Sequence, residues 1–166
     1  MVTFRLATID DLPYITELYN YFIQTSIATF HTDVLNTDDF NMLLPFGHPV
    51  YQTFLILENN QSVGFCYVGN YKPRQAYDRT AEVTIYLHPD AQGKGIGKQA
   101  LLFLEKQVEA TYIKNLMGVI CAENESSIAL FAKSGYQKVA HFHQVGEKFG
   151  RILDVVVYQK EIGSDL

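Results

Sequence analysis

The residues best suited to chemistry lie in one short segment. Glu82-Val83-Thr84-Ile85-Tyr86-Leu87 is rich in β-branched and aromatic residues, the composition of a strand. His88-Pro89-Asp90-Ala91 ends it. Gln92-Gly93-Lys94-Gly95-Ile96-Gly97 follows at once and leads into an apolar helical pattern from Lys98 to Thr111. A strand, a glycine-rich turn and a helix make an anion site. The first amides of a helix have no intrahelical acceptor and sit at the positive end of its dipole. Glycines let the backbone approach an anion closely and allow positive φ. Lys94 and Lys98 add positive charge beside them. A Walker loop is excluded, because the Gly-Lys-Ser/Thr ending is missing. A dinucleotide fingerprint has G-x-G-x-x-G near the first strand, whereas here G-x-G-x-G lies mid-chain after four strands. Two readings stay open on spacing alone: the pyrophosphate of a coenzyme A thioester, and a tight turn with no ligand.

The elements around this segment follow from periodicity. Val2 to Leu6 alternates as a strand, and Leu12, Ile15, Tyr19, Phe22 and Ile23 recur at helical spacing. A short helix is predicted over Asp38 to Leu44, stopped by Pro45. Tyr51 to Glu58 and Ser62 to Val68 read as strands joined at Asn59-Asn60-Gln61, a hairpin signal. A polar loop from Gly69 to Arg79 precedes the Glu82 strand. Leu116 to Ala122 is another strand. Asn124 is a good N-cap for a helix that Gly135 ends, and strands over Tyr136 to Gln144 and Arg151 to Tyr158 close the chain. The order β-α-α-β-β-β-α-β-α-β-β predicts an α/β fold, a mixed sheet with helices on its faces. With no repeat, low-complexity segment or linker-like break, residues 1–166 read as one domain.

Composition narrows the function classes. Hydrophobic residues make up 48% of the chain and charged residues 19%, which predicts a packed core. Thirteen Lys and Arg against eighteen Asp and Glu give a formal charge of -5. A nucleic-acid partner is therefore not expected, since that binding draws on basic surface. No run approaches the roughly 20 apolar residues that span a bilayer, so no membrane association is expected. The start lacks a basic segment followed by an apolar one, and Cys66 and Cys121 sit in apolar runs as reduced core thiols. Together these predict a cytoplasmic protein.

Four ordered segments resemble the GNAT N-acetyltransferases. Gln92-Gly93-Lys94-Gly95-Ile96-Gly97 is similar to that family's (Q/R)-x-x-G-x-(G/A) motif. Ala76 to Leu87 resembles the segment before it in the phosphinothricin and methionine sulfoximine acetyltransferase branch. Asn124 to Tyr136 resembles the family's Asn-helix-Gly-aromatic segment, and Gln144 to Asp154 the branch's C-terminal signature. The resemblance implies a mostly antiparallel central sheet whose middle strands splay. It implies direct transfer of an acetyl group from acetyl-CoA, as co-substrate, to the α-amine of a small amino acid or analogue. It also implies a homodimer. The chemistry then sets three tasks. An amine that is mostly cationic at neutral pH must lose a proton, the thioester carbonyl must be polarised, and a thiolate must leave.

The resemblance assigns roles by position. Glu82 is the general base. Ile85, Tyr86 and Leu87 offer main-chain groups to the pantetheine arm, by strand addition. Gln92, Gly93, Lys94, Gly95, Ile96, Gly97 and Lys98 take the pyrophosphate, and Asn124 bonds the cofactor arm. Phe30, Arg74 and Tyr77 are expected to hold the acceptor, Arg74 by carboxylate recognition. Phe131 stands where many superfamily members carry a tyrosine acid, and Ile152 where the branch carries tryptophan. Two other readings of function remain: transfer to a peptide or protein amine, and an acyl-CoA sensor without turnover. Two clusters are assigned no role. His141 and His143 alternate on one strand face without a third ligand at fixed spacing, so they read as solvated histidines and no metal is expected. Cys121, within Gly118 to Ala122, reads as a buried, inert thiol rather than a nucleophile.

Overall fold

Asn59 and Asn60 both take left-handed φ, 50° and 66°, the geometry of a tight two-residue hairpin turn. That turn joins the second and third strands, and similar local signals fix the other boundaries. The structure, a computed structural model, describes residues 1–163. Its strands are β1 Val2–Leu6, β2 Thr53–Glu58, β3 Gln61–Asn70, β4 Thr80–Leu87, β5 Asn115–Cys121, β6 Gln137–Lys148 and β7 Arg151–Glu161. Its α-helices are α1 Leu12–Thr25, α2 Thr37–Leu43, α3 Ile96–Val108 and α4 Glu125–Lys133. This is the element order predicted from periodicity. Asn36 caps α2 by accepting the Asp39 N–H at 2.8 Å. The helix α3 starts at Ile96 rather than Lys98, because Gly95 at φ 78° ends the turn and caps it.

The seven strands form one mixed sheet in the order β1-β2-β3-β4-β5-β7-β6. Every neighbouring pair is antiparallel except β4 and β5. Period-two alternation gives the sheet two apolar faces. Phe54, Ile56, Cys66, Val68, Ala81 and Val83 bury against α3 residues such as Leu101 and Leu104. Leu55 and Phe65 bury on the other face against α1 and α2 residues such as Ile15, Phe22 and Phe40. Helices therefore cover both faces. Among the described residues no helix is long and apolar enough to cross a membrane.

The parallel pair is the feature that makes a site. β4 and β5 are in register only at Thr80 with Asn115, Ala81 with Leu116 and Glu82 with Met117. Beyond that point β4 pairs with β3 alone, and β5 with β7 alone. The two strands part in the middle of the sheet, as the expected splay required.

Candidate active site

Where β4 leaves β5, its outer edge has no strand partner among the described residues. Register decides which groups face the gap. Phe65 lies opposite Tyr86, and the His88 N–H donates to the Val63 carbonyl at 2.8 Å. Both contacts point toward β3. By alternation, the N–H and C=O of Ile85 and Leu87 point into the gap. The Leu87 carbonyl there accepts the Gln92 side-chain amide at 3.2 Å. A cleft of about 890 Å³ occupies the gap. Its walls are Ile85 to Leu87, the end of α1 with Ser26 to Ala28, the glycine turn, and the first turns of α4.

The glycine turn forms the mouth of this cleft. Gly93 and Gly95 have φ of 75° and 78°, a region that side chains with a Cβ rarely enter, and space around both is open. Gly97 lies under Leu130 of α4; a Cβ there would sit 3.3 Å from Leu130 Cδ2. Gly93, Gly95, Gly97 and Lys98 all line the cleft, with the first amides of α3 at its edge. Asn124 lines it from the opposite side. The Asn124 Oδ1 caps α4 by accepting the Ser127 N–H at 3.3 Å, which leaves its Nδ2 hydrogens for a ligand. These residues fit a coenzyme A thioester: a polar, Cβ-free mouth for phosphate, then an unpaired strand edge for an amide-bearing arm.

Glu82 sits at the apex, the last residue of β4 in register with β5. Alternation puts Glu82, Thr84 and Tyr86 on the α1–α2 face. Glu82 opens into a smaller cleft of about 370 Å³, walled by Met42 to Pro45, Tyr51, Tyr67, Gly69 and Asn70. Gly69 lies directly opposite Glu82 and places no side chain over it. Burial raises the Glu82 carboxyl above its ordinary value, and the Lys72 ammonium offsets part of that rise. A raised carboxylate that lines a small cleft, on the strand whose edge borders the larger one, is a poised base. Burial also pushes the neighbouring Tyr67 phenol up to about 12.

A family model of the acetyltransferase (GNAT) domain matches residues 4–157. The chain belongs to the GNAT acetyltransferases. Phosphinothricin N-acetyltransferase of Alcaligenes faecalis is 32% identical over 170 residues, covering 98% of this chain and 83% of the relative. The L-methionine sulfoximine/L-methionine sulfone acetyltransferase of Salmonella typhimurium is 30% identical, covering 97% and 95%. The crystal structure of a GNAT superfamily phosphinothricin acetyltransferase from Sinorhizobium meliloti in complex with AcCoA superposes with a TM-score of 0.91. Its identity is 30%, and the match covers 98% of this chain and 89% of that one. The protein is an acetyl-CoA-dependent N-acetyltransferase.

The acetyltransferase departs in places from the positions expected of its site. Lys94 does not line the cleft; its ammonium pairs with Glu58 at 3.4 Å, at the end of β2. Ile96 is buried in the core, so only its main chain is available to the turn. The three expected acceptor residues lie on two separate segments. Phe30 lies across Gly146 of β6, packed against the hairpin. Arg74 and Tyr77 are exposed on the loop before β4, Tyr77 edge-on to Tyr71 at 5.9 Å, and neither lines a cleft beside Glu82. Phe131 is buried on Gly118 and presents only carbon to the cleft. Cys66 and Cys121 are free and buried, and burial pushes the Cys66 thiol up, so neither suits a nucleophile.

Other residues at the site carry no local mark in the sequence. Tyr67, Lys72 and the end of α2 surround Glu82, yet they are joined to it only by register and long-range packing. Lys148 is buried and donates to the Ser26 and Thr29 carbonyls at 2.7 Å each. It ties the β6–β7 hairpin to the loop that walls the cleft. A buried lysine is rare unless paired, and only the folded contacts mark this one as buried.

Proposed function

We propose that the acetyltransferase acts on the α-amine of a small amino acid or analogue, with Glu82 as its base. The parting of β4 from β5 at Glu82 carries this reading, because the thioester-sized cleft opens along the same strand at Ile85 to Leu87, beside the carboxylate that lines a separate small cleft. Bound acetyl-CoA supplies an acyl carbon already activated by its thioester. The turn from Gly93 to Lys98 and the N–H groups facing the gap hold that co-substrate, and Asn124 Nδ2 donates to its arm. The Ile85 N–H, having no strand partner, is the donor available to a carbonyl oxygen in the gap. Glu82 takes the proton of the incoming ammonium, directly or through water. Phe131 has no proton to return, and a thiolate, with its low basicity, leaves without one.

The names of the relatives support an amino-acid acceptor, as does the size of the Glu82 cleft. One catalytic unit per chain and a homodimer belong to the same proposal. The exposed apolar side chains of Val139, Phe142, Val145, Phe149 and Ile152 on the β6–β7 hairpin support the latter. A panel of amines with free-thiol detection tests the acceptor: amino acids, sulfone and sulfoximine analogues, peptides and polyamines. Thiol release that depends on a free amino acid is expected. Release with peptides alone reassigns the acceptor, and no release with any amine leaves an acyl-CoA sensor.

A further inference from the structure

We propose that His141, His143 and Asp154 form a binding site for one divalent transition-metal ion on the β6–β7 hairpin, apart from the acetyl-transfer clefts. The two histidines are separated by one residue on β6; the missing third ligand comes from β7. The register of the two strands explains why. It passes from Phe142 opposite Val155 to Gly146 opposite Leu153, so residues 143–145 bulge over Asp154 alone. Gln144 takes a left-handed φ of 56° in that bulge, and its N–H donates to Asp154 Oδ1 at 2.8 Å. One carboxylate oxygen is thereby fixed, and the other faces both rings. His141 Nε2–H donates to Asp154 Oδ2 at 2.8 Å and His143 Nδ1–H at 3.2 Å. The rings stack with centroids 4.2 Å apart.

This arrangement matches the needs of a metal. The three donor atoms lie within 4.8 Å of one another. Bonds of about 2.0–2.1 Å in a tetrahedral site put donor atoms about 3.3 Å apart. The His–Asp separations of 2.8 and 3.2 Å already lie just below that value, so small shifts of the two rings suffice. Two imidazoles and a carboxylate suit Zn2+, Co2+ or Ni2+, with water as the fourth ligand. The backbone bond to Asp154 Oδ1 is the kind of outer support that orients a ligating carboxylate. One contact opposes binding. Lys138 Nζ donates to His141 Nδ1 at 3.1 Å, yet a neutral ring bound through Nε2 carries its hydrogen on Nδ1. Lys138, exposed at the surface, must turn away on binding.

The test is titration of the tag-free chain with Co2+ alone, read by visible absorption and calorimetry, with Zn2+ as competitor. Neither buried thiol can supply a ligand, and the readout needs no acetyl transfer. One equivalent per chain is expected, with ligand-field bands displaced by Zn2+. His143→Gln should weaken binding more than tenfold; its side chain is 75% exposed, so the fold should not suffer. Asp154→Asn should do the same, while Lys138→Gln should tighten binding several-fold. No bands and no heat at millimolar metal with folded protein would overturn the site, as would binding that persists in both His143→Gln and Asp154→Asn.

Discussion

Gly118→Ala should close part of the coenzyme cleft from behind. A Cβ on Gly118 would lie 2.5 Å from Phe131 Cε1 and 2.8 Å from both Cδ1 and Cζ. Carbon atoms rest at about 3.5–4.0 Å, so the ring must retreat by about 1 Å. Phe131 is buried, with Tyr136 edge-on at 4.9 Å, and α4 is also held against α3 through Leu130 and Gly97. The open direction is the cleft that Phe131 lines. Overpacking of this kind costs about 1–3 kcal/mol. If half of that falls on the liganded state, acetyl-CoA binds about two- to twelvefold more weakly, at about 1.4 kcal/mol per decade. Calorimetry with acetyl-CoA reads this without needing the acceptor. Phe131→Leu in the same chain should restore affinity, giving a coupling of at least about 0.5 kcal/mol. Unchanged affinity and unchanged Tm in Gly118→Ala would refute the packing of Phe131 as the rear wall.

Further outcomes follow from the same contacts. Glu82→Gln should lower turnover by about 10²- to 10⁴-fold while leaving acetyl-CoA affinity intact; near-normal turnover removes Glu82 from the mechanism. Because burial raises the Glu82 carboxyl in the folded state, folding favours its protonated form. Its stabilising contribution is present at acid pH and lost as pH rises through the folded value. Glu82→Gln should therefore melt higher than the parent at neutral pH, with the gap shrinking on acidification, as thermal scans across pH would show. Lys72→Met removes the cation that offsets this rise, so the acid limb of the kcat/KM profile should move to higher pH; an unmoved limb separates Lys72 from Glu82. Gly95→Ala should cost about 1–2 kcal/mol from left-handed φ and weaken coenzyme binding. Gly47→Ala, at φ 73° in a loop outside the coenzyme cleft, should show the stability loss alone. Equal affinity losses in the two variants would sever the turn from the ligand.

The parts legible in the sequence were those written in local patterns. Alternation and helical spacing gave the eleven elements in order, and Asn59-Asn60 gave the hairpin turn it adopts. The turn from Gln92 to Lys98 was visible because three glycines before a helix serve a backbone need. The placement of Glu82 with Thr84 and Tyr86 follows from period two alone. The residues around Glu82 were hidden because register brings them there: Gly69 opposite Glu82 and Tyr67 opposite Thr84 depend on the β3–β4 pairing. Strand β6 was expected to end at Gln144 but continues to Lys148, because a bulge absorbs the left-handed residue. That same bulge brings Asp154 to His141 and His143, which no linear spacing could show. Arg74 and Lys94 were assigned by charge and motif position, yet a long side chain goes where its partners are. Lys94 finds Glu58 instead of the cleft.

Amide spectra of 15N-labelled protein, titrated with coenzyme A and separately with pantetheine, give the most direct check on how the co-substrate is held. Coenzyme A should shift the resonances of Gly93 to Lys98 together with those of Ile85 and Leu87, saturating at one equivalent. Pantetheine, lacking the pyrophosphate, should move only the strand residues. Saturable binding of coenzyme A that leaves the amides of residues 93–98 unmoved would contradict the glycine turn as the phosphate cradle.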